Sequence, residues 1–261
     1  MNLTSPSQVK AWCIEHDFHP NKVLGQNFLI DRNALEAIVT AGLAGAGERP
    51  KVLEIGPGLG VLTEELLKRG AQVTAVEKDP VLAARLKAEL GGREDLRVIA
   101  GDALEVDLGD EYERMVSNLP YQAGTRILLE LVKARRIRSM TVLVQTEVAE
   151  RLAAGPGGKT RSLSGVWAQL DYDVKLVRKV AASCFWPKPE VASSVVRLDR
   201  HARNDALSAE ARDLFHRLTK QAFEHRRKQL GSIFRDLVQS SARAEELSNE
   251  DWIELVRGLI G

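Results

Sequence analysis

The stretch Asn118-Leu119-Pro120-Tyr121 closes the apolar run "RMVSNLPY" and gathers an amide, a carbonyl ahead of a proline, and an aromatic face. Taken alone it reads as a turn, because Asn and Pro are common turn residues and Tyr can cap a core. The same groups also suit a flat, nitrogen-bearing ring. An exocyclic amine on such a ring is a poor nucleophile, because its lone pair is delocalised. Two acceptors at its hydrogens, the Asn118 side-chain oxygen and the Leu119 carbonyl, would draw the nitrogen toward tetrahedral geometry and free that pair. Pro120 has no N–H and a fixed φ, so it sets the direction of the Leu119 carbonyl. Tyr121 offers a stacking face, worth about 1–3 kcal/mol per base.

Further polar positions recur at the ends of apolar runs. In "EIGPGLG", Gly56, Gly58 and Gly60 allow a sharp turn and close approach to a ligand. A dinucleotide fingerprint would need its third glycine at position 61, which is Val61, and Glu54 ahead of the loop would repel a pyrophosphate. A phosphate-free cofactor fits better, and a nicotinamide-dependent oxidoreductase is disfavoured. Glu77 ends "QVTAVE", 21 residues after Gly56, where a carboxylate can accept both ribose hydroxyls. Asp102 in "GDA" can accept from an adenine amine. Each acid by itself reads as a helix cap. In this order, with Asn118 following, they form a nucleoside-binding rim, the layout of an S-adenosylmethionine-dependent methyltransferase. The expected cofactor is S-adenosyl-L-methionine, and no metal is expected.

The elements that must hold this rim alternate from Lys51 onward. "KVLEIG", "QVTAVE", "LRVIAGDA", "RMVSNLP" and "MTVLVQT" read as strands, and "VLTEELLKRG", "PVLAARLKAEL" and "TRILLELVKA" as amphipathic helices between them. This alternation predicts a parallel sheet covered on both faces, with ligands beyond the carboxyl ends of its strands. "EVAERLAAGPGGK" reads as a helix entering a glycine-rich loop, followed by strands "DVKLVRKVA" and "SSVVRLDR". From about Asp205 the pattern is helical only. The expected fold class is therefore α/β, a Rossmann-like domain over 1–200 with an N-terminal helical extension, and a small all-helical domain over 201–261. At the N-terminus Ser5, Pro6 and Gln8 predict a helix start with a capping box.

Composition narrows the class. A hydrophobic content of 44% broken by frequent charge leaves no run long enough to cross a membrane. The N-terminus lacks the basic start and apolar core of a signal peptide. Two distant cysteines, Cys13 and Cys184, make neither a disulfide framework nor a metal cluster, and His16 and His19 have no further ligand nearby. These features point to the cytoplasm. The net charge of +1 hides asymmetry: residues 212–235 carry a balance of +5, and 236–261 one of −4. Basic clusters of this kind, including "KARRIR", mark either a nucleic-acid face or a solvated helix face.

From Val23 to Arg235 the sequence resembles the ribosomal RNA adenine N6-dimethyltransferase family, specifically its small-subunit branch. The resemblance rests on "LGQNFLID", "EIGPGLGVLT", "VEKD", "GDAL", "NLPY", "FWPKPEVASSVV" and "AFEHRRK", in that order. It implies a class I methyltransferase fold and dimethylation of two adjacent adenosines near the 3′ end of small-subunit (16S) rRNA during ribosome biogenesis. It implies that Asn27 and Leu29 border the cofactor, Gly56 lies against its amino-acid portion, Glu77 holds the ribose, and Asp102 reads the adenine. Asn118, Leu119, Pro120 and Tyr121 would hold the target adenosine, with Asn118 also touching the cofactor, and Phe185 would pack on the target base. The C-terminal helices, with Arg226, Arg227 and Lys228, would dock on ribosomal RNA in the pre-small-subunit particle, the protein acting as a monomer. Two departures stand beside the target: Gln122, Ala123 and Gly124 after "NLPY", and "TRSLS" at 160–164 where the family tends to have Tyr-Gly-Arg-Leu-Ser. Other readings are the large-subunit, antibiotic-resistance branch, a mainly non-catalytic ribosome-assembly factor, and a DNA or protein-glutamine methyltransferase, against which Leu119 weighs.

Overall fold

The computed structural model describes residues 1–21, 23–109 and 111–260. In chain order the elements are α1 (Pro6–Glu15), β1 (Phe28–Leu29), α2 (Arg32–Leu43), β2 (Lys51–Ile55), α3 (Val61–Lys68), β3 (Gln72–Glu77), α4 (Pro80–Leu90), β4 (Leu96–Ala100) and β5 (Arg114–Asn118). There follow α5 (Gly124–Ala134), β6 (Ser139–Gln145), α6 (Thr146–Ala153), α7 (Leu163–Asp171), β7 (Tyr172–Val180), β8 (Phe185–Trp186), β9 (Ser193–Arg200), α8 (Ala209–Glu224), α9 (Leu230–Phe234) and α10 (Asn249–Ile260). The chain divides into two compact units, one of residues 1–149 with 175–199, the other of 150–174 with 200–261.

The first unit is built on a seven-stranded sheet in the order β4-β3-β2-β5-β6-β9-β7. Strands β2 to β6 are mutually parallel and β9 runs antiparallel to β6. The central strands are buried along nearly their whole length, as expected where helices cover both faces of a parallel sheet. Helices start where their sequences offer a cap. Asp79 accepts the Val81 N–H at 2.9 Å with Pro80 in the first turn of α4, and Asp31 accepts the Ala34 N–H at 2.7 Å at the start of α2. At α3 the cap is Gly60, with φ +85°; a Cβ there would stand 2.7 Å from a methyl of Leu86, so glycine lets α3 and α4 close together.

The strand order reverses between β2 and β5, and this is where the sheet opens. Only Val52↔Arg114 and Leu53↔Met115 pair between these two strands. Beyond them the Ile55 N–H is taken at 2.9 Å by the hydroxyl of fully buried Ser117, so a side chain replaces the backbone ladder as the strands part. The result is a crevice at the carboxyl ends of β2 and β5, the usual ligand position in open α/β sheets.

Two sequence expectations need correction here. The capping box of α1 does not form. Ser5 makes no side-chain cap; its hydroxyl meets Ser7 at 3.0 Å, while Gln8 accepts from the Asn2 N–H. The second unit is also larger than residues 201–261. It includes 150–174, because Val166 and Leu170 of α7 share one apolar cluster with Phe215 of α8 and Trp252 and Ile253 of α10. Within it Arg161, 1% exposed, donates to the Ala154 carbonyl (2.7 Å), Gln169 Oε1 (2.6 Å) and Asn249 Oδ1 (2.8 Å), tying the loop before α7 to the start of α10.

Candidate active site

A cavity of about 450 Å³ opens at the crevice in the first unit. Its walls include Asn27, Leu29, Gly56, Glu77, Asp102 and the whole Asn118–Tyr121 segment, so the structure gathers nine of the positions singled out from the sequence. They come from the ends of β2, β3, β4 and β5 and from the segment around β1.

Glu77 is the best-anchored acid. It is 6% exposed, and its two oxygens accept the N–H of Gly58 (3.0 Å) and of Asp79 (2.8 Å). The carboxylate, with about four accepting sites, keeps capacity beyond these N–H groups. Burial pushes its carboxyl above the ordinary value, against the pull of those N–H donors. Glu54 lies deeper, 1% exposed, and takes the Thr63 hydroxyl at 2.7 Å. Burial, with repulsion from Glu77, pushes its pKa up to about 8. Asp102 is held differently. One oxygen takes the Leu104 N–H at 2.9 Å and the other meets the Lys78 ammonium at 2.7 Å, which holds its carboxyl below the usual range.

On the opposite wall Gly56, with φ +67°, donates to the Val76 carbonyl at 2.9 Å and brings its backbone beside Pro120. Asn118 donates its Nδ2 to the Asn27 carbonyl at 3.2 Å, which leaves the amide oxygen as an acceptor. The Leu119 N–H is used by the Leu143 carbonyl at 3.1 Å, fixing the peptide next to it. Gly124 explains one departure noted above: a Cβ there would come within 2.8 Å of Leu119 Cβ, so α5 can start directly after the tetrapeptide only with glycine. Tyr121 is half-buried, with its hydroxyl 2.7 Å from Ser193 Oγ.

Phe185 does not line the cavity. In β8 it pairs with Leu29 of β1 and is 2% exposed, packed among Leu143, Val180 and Val195. The strand alternation that buries Phe185 turns Trp186 the other way, onto Phe28 at 6.5 Å between ring centroids. The basic triad is also not on a helix. α8 ends at Glu224, and Arg226, Arg227 and Lys228 lie in the turn that follows. Arg226 is engaged by Glu245, through Nε at 2.9 Å, while Arg227 and Lys228 are exposed. Lys78 and Arg126, which sequence reasoning gave no role, line the cavity as well; their signal was a cation next to a strand-end acid and one in the first turn of α5.

The acceptors of the lining, Glu77 and Asp102 among them, suit a nucleoside cofactor that carries positive charge. Two buried acids, Glu54 and, at the end of β3, Glu77, beside a glycine turn fit S-adenosylmethionine. With the strand order and the switch-point cavity, they define a Rossmann-like S-adenosylmethionine-dependent methyltransferase. The model of the ribosomal RNA adenine dimethylase family matches residues 17–255. The chain belongs to that family, and it is an S-adenosylmethionine-dependent ribosomal RNA adenine dimethyltransferase. The "Ribosomal RNA small subunit methyltransferase A" of Deinococcus radiodurans is 49% identical over 199 residues, covering 76% of this chain and 67% of that protein. Among solved structures, a dimethyladenosine transferase from Plasmodium falciparum superposes with a TM-score of 0.76 at 23% identity, over 87% of this chain and 95% of that one. The 23S rRNA methyltransferase ErmE gives a TM-score of 0.70 at 27% identity, over 90% and 100%. No described helix is long and apolar enough to cross a membrane.

Proposed function

We propose that the protein dimethylates N6 of two adjacent adenosines near the 3′ end of small-subunit (16S) rRNA, acting as a cytoplasmic monomer on the pre-small-subunit particle. The observation that carries this reading is the orientation of Asn118. Its amide nitrogen donates to the Asn27 carbonyl, which leaves its oxygen as an acceptor on a residue that lines the cavity with Leu119 and Pro120. The choice of the small-subunit branch is supported by the higher identity to the small-subunit relative than to the large-subunit enzyme.

The residues then divide the work. Glu77 holds the ribose hydroxyls, Asp102 the adenine amine, Gly56 lies against the amino-acid end, and Asn27 and Leu29 border the cofactor. S-adenosylmethionine, when bound, supplies an electrophilic methyl group. Asn118 Oδ1 and the Leu119 carbonyl accept the two amine hydrogens of the target adenosine and restore nucleophilic character to its nitrogen. Pro120 holds that carbonyl in line, and Tyr121 stacks on the base. The proton leaves after transfer, when the nitrogen is cationic and acidic, so no strong general base is needed. Orientation supplies most of the acceleration. The adenosine has to be unpaired or flipped to reach the cavity, which suits an RNA loop. Exposed Arg227 and Lys228 in the second unit contact RNA phosphates, a role Arg226 shares only if Glu245 releases it.

The test is incubation with radiolabelled S-adenosylmethionine and unmethylated small ribosomal subunits, followed by mapping of the modified nucleotides. Two dimethylated neighbouring adenosines near the 3′ end are expected. No label on the small subunits, with label on large-subunit rRNA in a parallel incubation with large ribosomal subunits, would replace this reading with that of the large-subunit branch.

A further inference from the structure

Tyr121 raises a question its stacking role leaves open: a phenylalanine would present the same face, so what is the hydroxyl for? The structure commits it inward. Tyr121 Oη lies 2.7 Å from Ser193 Oγ, and Ser193 is fully buried. The position of Ser193 follows from strand register. Asn118 pairs with Leu143 on β6, Leu143 with Val195 on β9, and Gln145 with Ser193. Ser193 and Val195 therefore share one face of β9, and Ser193 lies about 7 Å farther toward the end of the sheet where the cavity opens. The first residue of β9 thus reaches under the aromatic ring that follows Pro120.

The near end of Tyr121 is fixed as well. A Cβ on Gly25 would come within 3.0 Å of the Tyr121 N, so the chain ahead of β1 packs directly on this backbone. The Tyr121 phenol is pushed above its ordinary pKa by burial, in keeping with a neutral hydroxyl held in a hydrogen bond. The next residue, Ser194, turns away from Tyr121 and pairs with Thr146 Oγ1 at 3.0 Å, so the two adjacent serines have different partners.

We propose that Ser193 is a positioning residue for methyl transfer, tethering the Tyr121 hydroxyl so that the ring is held at the angle on which the target adenine stacks. The inference rests on the reading of Tyr121 as the platform for the target base. A side chain free to rotate about its first torsion would offer that face only part of the time. A hydroxyl held at the far end removes the freedom before substrate arrives, which is how an orienting group contributes to rate. Ser193 touches neither the base nor the cofactor and acts through Tyr121.

The experiment compares Ser193→Ala, Tyr121→Phe and the double variant in single-turnover methylation of unmethylated small subunits, with calorimetry of S-adenosylhomocysteine binding on each. The turnover constant of Ser193→Ala should fall about 10- to 100-fold, with cofactor affinity within about twofold of wild type. Tyr121→Phe keeps the aromatic face but loses the tether, so it should show a loss of similar size. The double variant should lose no more than either alone. Ser194→Ala should retain wild-type turnover. Wild-type rates in both Ser193→Ala and Tyr121→Phe, or losses that multiply in the double variant, would overturn the tether. If Ser193→Ala does not fold, Tyr121→Phe carries the same decision, since a pure stacking platform predicts no loss from it. Tyr121→Ala separates the two levels: full activity there removes the platform itself, whereas loss there with an active Ser193→Ala removes only the tether.

Discussion

In the first unit the most deeply buried titratable groups facing the cavity, Glu54 and Glu77, are acids. Glu77 is held by backbone N–H groups and Glu54 by a threonine hydroxyl, and among the described residues neither forms an ion pair with a side chain. In the second unit buried Arg161 spends its bonds inside the unit, on a carbonyl and two amides, and buried Asp171 is paired with half-buried Arg212 at 2.8 Å. An acid held only by N–H and O–H donors keeps lone pairs for a ligand. A guanidinium whose donors already serve carbonyls and carboxylates has little left to give. The acids facing the cavity are therefore left with accepting capacity, whereas these charges of the second unit are spent on internal cohesion, and the basic balance of 212–235 overstates what is free for RNA.

The comparison is sharpened most by Asn118→Ala. With the cofactor wall untouched, methyl transfer should fall by about 100-fold or more, since the target amine loses an acceptor that orients it. S-adenosylhomocysteine should still bind with near wild-type affinity. Single-turnover rates and calorimetry check both halves, and near-normal dimethylation would remove Asn118 from the reacting centre. Glu77→Ala should do the reverse. Loss of a charge-assisted acceptor worth about 1.5–3 kcal/mol predicts at least tenfold weaker cofactor binding. Unchanged affinity would take Glu77 out of the ribose site.

How much of this was legible beforehand follows the same division. The glycine loop, Glu77, Asp102 and Asn118 were readable because each ends a strand, and strand ends in a parallel sheet converge whatever the packing behind them. Phe185 was misplaced because a two-residue strand has no pattern from which to read which face is buried. Residues 150–174 were assigned to the wrong unit because α7 lies between strand-like runs, and its partners Phe215 and Trp252 are remote in sequence. The capping box failed because Gln8 found the Asn2 N–H first. Nothing local marked Ser117 as the group that finishes the ladder between β2 and β5, nor Glu245 as the partner of Arg226, since both depend on contacts across long stretches of chain.

Glu54 offers a pH test of the first unit. Its folded pKa, about 8, lies above the ordinary carboxylate value of 4.5, so the folded state holds a proton that the unfolded chain releases. Stability from this group is present below about pH 4.5 and is lost as pH rises toward about 8, with a slope of about 1.4 kcal/mol per pH unit at most. Glu54→Gln, neutral at every pH, should gain stability relative to wild type across that window and level off above it. Urea melts of both proteins without cofactor from pH 5 to 9 measure the difference. A constant difference would mean that Glu54 is ionised throughout, and that the acid wall is more solvated than its burial indicates.

The smallest expected effect bears on the second unit, where the comparison is easiest to break. Arg226 is bound to Glu245, whereas Arg227 and Lys228 are exposed in the turn after α8. If only the uncommitted cations meet RNA, Arg227→Gln with Lys228→Gln should weaken binding to small ribosomal subunits at low salt and flatten its salt dependence. Each phosphate contact contributes about 0.7–0.9 to the slope of log affinity against log salt, so losing two should lower it by about 1.5. Arg226→Gln should leave the slope unchanged and act instead on stability, by about 1 kcal/mol or less for a half-exposed pair. Cofactor affinity should stay at the wild-type value in both variants. A salt titration of particle binding, with a denaturant melt of each protein, distinguishes the two roles. If Arg226→Gln flattens the slope as much as the double variant does, Glu245 gives up its partner to RNA, and internal pairing in this unit is a resting arrangement that the substrate displaces.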